Sequence, residues 1–207
     1  MTIRAVVFDF GGVLFDWNPQ HLYRKLIVDE HERQWFLDTI CTQAWNTEQD
    51  AGRPLAEATQ VLVDQFPHHK ALITAYYDRW HEMLRGPLPD GVAILKALYA
   101  ANMPLFGLTN WSAETFPYAR AHYPFLNCFR DIVVSGELKL IKPNPAIYDA
   151  SLSQVRAYLP DIQPGEVVFI DDVADNVDAA VALGWRGIHH VSAEHTAARL
   201  RELGVGF

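Results

Sequence analysis

Residues 5–14 read AVVFDFGGVL. Four apolar residues precede a single aspartate, Asp9, and two glycines follow this aspartate after one intervening residue. Short β-branched and aromatic runs bounded by glycine are typical of a buried strand and its exit turn. Because a parallel strand is apolar on both faces, Asp9 should lie where the strand leaves the core. Ligands bind at that carboxyl edge in open α/β sheets. The alternative, that Asp9 caps a helix, agrees poorly with the Gly-Gly pair.

Strand and helix patterns alternate in the second half of the chain. Short apolar runs at 104–108, 131–134, 167–170 and 186–190 are separated by helical segments, one of them at 145–155. We predict that Asp90, Ser112 and Ser192 cap helices in this half. Such alternation predicts an α/β fold built on a doubly wound parallel sheet.

Between these two parts lies a long region with helical periodicity. Leu55, Ala58 and Leu62 repeat at helical spacing, and a glycine and two prolines at 86–89 mark a boundary. We therefore predict a core of residues 1–16 and 87–207 and a helical insertion of residues 17–86. An insertion that leaves the sheet at its ligand-binding edge would cover the site as a cap.

Composition excludes several classes of function. The chain has 207 residues, of which 50% are hydrophobic, and a formal net charge of -8. An acidic chain without a basic run is a poor nucleic-acid binder, so we predict no such partner. Residues 1–4 do not resemble a secretory leader, and no apolar run is long enough for a membrane span. Cys41 and Cys128 lack metal or disulfide spacing, which favours reduced thiols in a cytoplasmic protein.

Polar side chains follow several of the predicted strands. Asp9 ends the first, Thr109 and Asn110 end the second, and the pair Asp171-Asp172 ends the fourth, while Lys142 follows the third in a loop. Parallel strands bring these ends to one edge of the sheet. Taken singly, Thr109 or Asn110 could be a turn or capping residue and Lys142 a solvated lysine; together they predict a pocket.

The charges in this pocket narrow its chemistry. Three neighbouring carboxylates cannot all remain ionised without compensation, and Lys142 supplies only one positive charge. Oxygen ligands without histidine or cysteine favour Mg²⁺ over Zn²⁺. A Mg²⁺ site beside a carboxylate, a hydroxyl and a lysine suits a phosphoryl group, which Asp9 could attack while Lys142 and Thr109 stabilise its oxygens.

At this point the sequence resembles the haloacid dehalogenase superfamily, whose members are mostly phosphatases. The resemblance covers the whole chain and rests on four motifs in order, FDFGGVL at 8–14, LTN at 108–110, KPNPAIY at 142–148 and FIDD at 169–172 followed by Asn176. It implies a Rossmann-like core with a helical cap inserted after the first motif. The first motif is most similar to a sugar-phosphatase-like branch that has Asp-x-Gly in place of Asp-x-Asp.

The resemblance also implies a role for each matching residue. Asp9 would be the nucleophile, and Thr109, Asn110 and Lys142 would act on the phosphoryl group. Mg²⁺ would be held by Asp9, Asp172 and the backbone carbonyl of Gly11, with Asp171 and Asn176 supporting these ligands. Most phosphatases of the family have an aspartate where this chain has Gly11, and that side chain acts as general acid and base. Its absence predicts slow turnover, or a small phosphate ester with a good leaving group, such as a sugar 1-phosphate.

Three questions stay open at the level of sequence. A metal-free 2-haloacid dehalogenase would also suit the missing aspartate, although the Asp171-Asp172 pair would repel a haloacid. A phosphate-binding module that has lost turnover is the other alternative. The substrate and the oligomeric state cannot be read, although Trp17, Trp45 and Trp111 could form the pocket wall.

Overall fold

The computed structural model describes residues 2–207 and contains a parallel five-stranded sheet. The strands of this sheet are β1 (Ala5–Phe8), β4 (Leu105–Thr109), β5 (Asp131–Val134), β6 (Val167–Asp171) and β7 (Arg186–His189). Their order in the sheet is β5-β4-β1-β6-β7, and each neighbouring pair is parallel. All five agree with the strands predicted from the sequence to within one residue at each end.

The central strand β1 is buried on both faces, as its apolar sequence predicts. Ala5 and Val7 contribute to one hydrophobic cluster, and Val6 and Phe8 contribute to a second on the opposite face of the sheet. The first cluster includes residues of α9 (Pro145–Tyr158) and α10 (Ala174–Ala182), and the second includes residues of α6 (Pro89–Ala100), α7 (Phe116–His122) and α11 (Ala193–Glu202). A short helix, α8 (Ser135–Leu138), follows β5. Helices on both faces make the sheet doubly wound, as predicted.

Five α-helices lie in the region between β1 and α6. They are α1 (Gln20–Leu26), α2 (Glu30–Thr39), α3 (Gln43–Asp50), α4 (Leu55–Gln65) and α5 (Lys70–Asp78). The helical insertion is therefore present, whereas its treatment as a separate domain of residues 17–86 stays a prediction. Only Met1, in the predicted core segment 1–16, lies outside the described residues.

An antiparallel ribbon that the sequence did not indicate frames this insertion. Strand β2 (Phe15–Trp17) pairs with β3 (Leu84–Pro87), and the register shifts between Asp16 and Trp17. Each strand is too short for a period of two to be visible, and the partners lie far apart in the chain. Trp17 is the last residue of β2, and it therefore lies where the chain passes from the core into the helical insertion.

Two of the three predicted helix caps were wrong. Helix α6 has Leu88 at its N-cap and begins at Pro89, whose fixed φ suits the first helical position, so Asp90 lies inside the first turn. The N-cap of α7 is Thr115 instead of Ser112. The prediction for Ser192 was correct, since its side chain accepts a hydrogen bond from the His195 N–H.

The structure also bears on the thiols and on membrane spans. Cys41 and Cys128 are free, as predicted. Within residues 2–207, no helix combines the length and the apolar character that crossing a bilayer requires.

Candidate active site

The predicted site residues meet at the switch point of the sheet. Asp9 directly follows β1, while Thr109 and Asp171 end its two neighbours, β4 and β6. The chain builds β4 and β5 on one side of β1 and then β6 and β7 on the other, so the carboxyl ends of three adjacent strands border one crevice. Asp9, Thr109 and Asp171 are all buried there.

Lys142 reaches into this crevice from the loop after α8. Its side chain is 1% exposed, and Nζ lies 2.7 Å from Asp9 Oδ1, 2.7 Å from Asp171 Oδ2 and 3.1 Å from the Leu108 carbonyl oxygen. A lysine ammonium has three hydrogens, and these three acceptors match them. Lys142 is therefore a fixed cation between two carboxylates, which excludes the solvated lysine considered above.

Asn110 acts on the lysine backbone. Its Nδ2 donates to the Lys142 carbonyl at 3.1 Å, and its Oδ1 accepts from the Lys142 N–H at 2.9 Å. Both ends of the amide are thus used to hold Lys142 at the end of β4. The sequence grouped Asn110 with the catalytic residues, and this geometry suits a positioning residue better.

The two adjacent carboxylates at the end of β6 differ in their surroundings. Asp171 is fully buried and accepts hydrogen bonds from Lys142, from the Val173 N–H and, through both oxygens, from Asn176 Nδ2. Asp172 is exposed, and among residues 2–207 its side chain forms no hydrogen bond or ion pair with another residue. Its oxygens are free to bind a ligand, whereas those of Asp171 are occupied by donors of the protein.

The site carries more negative charge than the protein neutralises. Asp9, Asp171 and Asp172 each place an oxygen within 4.8 Å of the others. Burial, followed by repulsion from Asp171 and Asp172, raises the pKa of Asp9, although Lys142 opposes the shift. Burial and Asp171 also raise the pKa of Asp172. Three carboxylates against one ammonium leave two negative charges, which equal the charge of one divalent cation, and oxygen-only donors fit Mg²⁺.

Two glycines beside Asp9 have opposite steric surroundings. A Cβ built on Gly12, which has φ +65°, would lie 2.2 Å from Asp172 Oδ2, so this glycine lets the carboxylate approach the loop. A Cβ built on Gly11 would meet nothing within 4 Å. Residue 11 therefore has room for a side chain, and glycine at that position is not required by packing.

A cavity of about 210 Å³ opens above these residues. Its floor includes Asp9, Gly11, Lys142 and Asn176, and its walls include three tryptophans, Trp17, Trp80 and Trp111.

Trp17 and Trp111 were predicted as wall residues. Trp45 instead packs against Tyr76 and Tyr77. Trp80 belongs to the buried core, at 7% exposed, and also lines the cavity. Four polar residues of α3 that were not predicted from the sequence also line the cavity: Gln43, Asn46, Thr47 and Asp50.

We expect Lys142→Met to lower the free energy of unfolding by about 3 kcal/mol or more at pH 7. The substitution leaves two buried carboxylates without their shared cation, and breaking buried ion pairs in this way typically costs about 3–5 kcal/mol. Urea unfolding measures the change, with Lys96→Met, which alters an exposed lysine on α6, as the matched control. Equal stability of the two variants would contradict the role assigned to Lys142.

Fold and site together define an α/β enzyme with a carboxylate-lined site at the switch point of a parallel sheet. The chain belongs to the haloacid dehalogenase-like hydrolases, because the model of that family matches residues 3–184. It is therefore a hydrolase, and the resemblance noted in the sequence is confirmed.

Relatives with similar sequences and structures agree with this assignment. The sesquiterpene phosphatase astK of Aspergillus oryzae is 29% identical over 205 residues, which cover 98% of this chain and 97% of the relative. A haloacid dehalogenase family enzyme from Bacteroides thetaiotaomicron in complex with magnesium has a TM-score of 0.68 at 19% identity, covering 91% of this chain and 93% of that one. The L-2-haloacid dehalogenase of Xanthobacter autotrophicus has a TM-score of 0.61 at 20% identity, covering 100% and 85%. At these identities the two structures support the fold alone.

Proposed function

We propose that this chain is a Mg²⁺-dependent phosphatase that hydrolyses a small phosphate monoester through a phosphoaspartate on Asp9. The observation that carries the proposal is the cluster of Asp9, Asp171 and Asp172 around the single ammonium of Lys142, which leaves two negative charges for a divalent cation. The similarity to a sesquiterpene phosphatase along almost the whole chain supports phosphate ester chemistry.

Each residue has a task in this reaction. Asp9 attacks phosphorus, the bond from phosphorus to the ester oxygen breaks, and the alkoxide leaves and takes a proton from water. A second water then attacks phosphorus of the phosphoaspartate and gives a proton to solvent, which releases inorganic phosphate and restores Asp9. Lys142 and Thr109 stabilise the phosphoryl oxygens, and Asn110 keeps Lys142 in place. Mg²⁺ held by Asp9, Asp172 and the Gly11 carbonyl would neutralise charge that develops on these oxygens.

Asp171 and Asn176 support the site from behind. The carboxylate of Asp171 has two fixed donors besides Lys142, so it orients the lysine ammonium toward Asp9. Asn176 holds both oxygens of Asp171 and thereby fixes its plane. The metal ligands would then meet the substrate in an arrangement that exists before it binds.

The chain lacks a proton donor at residue 11, and this limits the leaving group. General acid and base assistance contributes about 10²–10⁴-fold to a rate. Without it, esters whose alcohol leaves readily, such as p-nitrophenyl phosphate or a sugar 1-phosphate, are the better substrates.

Removal of Mg²⁺ is the direct test of this proposal. We expect phosphate release from a panel of phosphate monoesters to fall at least about 100-fold in a chelator and to return with added Mg²⁺, because the charge excess in the site would otherwise repel the substrate. Release that is unaffected by the chelator would contradict a metal-dependent mechanism.

Two other functions fit the fold, and the site separates them from a phosphatase. A 2-haloacid dehalogenase needs a cation in the helical insertion for the substrate carboxylate. Within residues 2–207, no lysine or arginine of the insertion lines the cavity, and Lys142 of the core is the only such cation there. Halide release from 2-haloacids in a chelator would favour that function. A binding module that has lost turnover would bind Mg²⁺ and phosphate and hydrolyse no ester of the panel.

A further inference from the structure

Helix α3 turns a polar face toward the cavity. Gln43, Asn46, Thr47 and Asp50 are spaced i, i+3, i+4 and i+7, so they lie on one side of the helix, and all four line the cavity. A helix face turned toward the protein interior is normally apolar. Asp9 and Lys142 line the same cavity, so the alcohol part of an ester bound at Asp9 would occupy space that this face borders.

A chain of hydrogen bonds fixes the Asp50 carboxyl, which belongs to this face. Gln49 Nε2 donates to the Tyr77 hydroxyl at 2.7 Å, Tyr77 donates to Asn46 Oδ1 at 3.1 Å, and Asn46 Nδ2 donates to Asp50 Oδ2 at 3.2 Å. The Asp50 carbonyl accepts from the Ser135 hydroxyl at 2.6 Å, which ties this turn of α3 to the core. The Asp50 carboxyl is thus held in place before a ligand arrives.

Among residues 2–207, no cation pairs with the Asp50 carboxyl. Burial raises its pKa to about 7, and a backbone hydrogen bond from Ser112 opposes the shift. The carboxyl has accepting capacity left beyond Asn46 and Ser112, since its two oxygens can take about four hydrogen bonds. It can therefore accept from a polar group of a ligand in the cavity.

The aromatic wall contains a polar atom without a partner. Trp17 Nε1 is the one buried side-chain nitrogen or oxygen of residues 2–207 that has no hydrogen-bond partner, and Trp17 lines the same cavity. Leaving a buried donor unsatisfied costs free energy. A ligand oxygen in the cavity would supply the missing acceptor, while the neighbouring rings of Trp80 and Trp111, 5.6 Å apart, offer apolar faces.

We propose that the polar face of α3, centred on Asp50, and the indole N–H of Trp17 bind hydroxyl groups on the alcohol part of the phosphate ester. A hydroxyl can accept from Trp17 and donate to Asp50, whereas a hydrocarbon leaves both groups unmatched. The substrate class is therefore the phosphate of a hydroxylated ring, of sugar or cyclitol type, whose apolar face packs on the tryptophans. This inference rests on the proposed phosphatase function.

Matched rings with and without hydroxyls test the inference. The hydroxylated substrates are myo-inositol 1-phosphate, glucose 1-phosphate and glucose 6-phosphate, and the hydrocarbon substrates are cyclohexyl phosphate and farnesyl phosphate. We expect kcat/KM for the best hydroxylated ester to exceed that for cyclohexyl phosphate at least about tenfold, because a site built to bind hydroxyls discriminates against analogues that lack them.

Two variants assign the preference to the named groups. Trp17→Phe removes the N–H and keeps an aromatic ring, and Asp50→Ala removes the carboxyl. Each should lower the ratio of kcat/KM for the best hydroxylated ester to kcat/KM for cyclohexyl phosphate about tenfold, mainly through a higher KM for the hydroxylated ester.

The outcomes separate this inference from the function on which it rests. If wild-type protein does not hydrolyse p-nitrophenyl phosphate in an Asp9-dependent way, the phosphatase proposal itself fails. If Asp9-dependent hydrolysis of p-nitrophenyl phosphate is observed but kcat/KM is higher for cyclohexyl or farnesyl phosphate than for every hydroxylated ester, the hydroxyl-binding site is refuted. An equal loss on both kinds of substrate in the two variants would also refute it, since that result indicates a structural role.

Discussion

Asp9→Asn is expected to lower kcat for every phosphate ester at least about 10³-fold. An amide cannot form the phosphoaspartate, and removal of a nucleophile typically costs an enzyme several orders of magnitude. The fold should persist, because asparagine has the same shape and the substitution removes one negative charge from a site with too many. Lys142 keeps Asp171 and the Leu108 carbonyl as acceptors.

The measurement combines turnover with a chemical assay of the intermediate. Acid quenching of the wild-type enzyme during turnover should trap a phosphoenzyme that hydroxylamine cleaves, and the variant should form none. Asp16→Asn is the matched control, because Asp16 is a partly exposed carboxylate of β2 that pairs with His21 at 2.9 Å and does not line the cavity. If Asp9→Asn retained more than about a tenth of wild-type activity, Asp9 could not be the nucleophile.

The predicted site residues whose meeting at one crevice could be foreseen from the sequence are those whose position follows from a strand end. Asp9 and Asp171 each terminate an apolar run, and the parallel arrangement of those runs is sufficient to bring them together. Lys142 lies in the loop after the third predicted strand, and its role was implied by the resemblance of the motif at 142–148 to that of the family. The inferences for Asp9 and Asp171 use only local pattern and one rule of topology.

The features that the sequence did not reveal depend on contacts between distant segments. The pairing of β2 with β3 joins residues about seventy positions apart, and it is this ribbon that brings Trp17 to the cavity. The polar stripe of α3 is typical of a solvated helix face when it is read alone, and only the packing of the insertion over the core shows that it faces a cavity. The use of both ends of Asn110 to hold Lys142 is likewise visible only in three dimensions.

The second large effect is expected from Gly11→Asp, which should accelerate the hydrolysis of unactivated alkyl phosphates about 100-fold. Residue 11 lines the cavity beside Asp9, and a Cβ there meets no atom within 4 Å, so the new side chain has room. Close carboxylates would raise the pKa of the added carboxyl and keep it protonated, which is the state that a general acid requires.

Substrates with different leaving groups distinguish general acid catalysis by the added aspartate from an effect of the side chain on substrate binding. p-Nitrophenolate leaves without protonation, so Gly11→Asp should change its release less than about threefold, and the gain should appear only with alkyl esters. Gly11→Asn is the matched control, because it fills the same space and cannot release a proton in this way. A gain as large with asparagine would mean that the side chain acts through binding, and no gain with aspartate would mean that proton transfer does not limit the reaction.

A substitution at the next residue of the same loop is expected to impair the site instead of improving it. At Gly12 a Cβ would collide with Asp172 Oδ2, and φ +65° is strained for alanine. Gly12→Ala should therefore displace the Asp172 carboxylate and weaken Mg²⁺ binding, which would raise the Mg²⁺ concentration needed for half-maximal activity. Gly11→Asp should leave that concentration unchanged. The adjacent glycines thus have separable roles: Gly12 allows Asp172 to approach the catalytic loop, and Gly11 leaves open the position at which a general acid can be added.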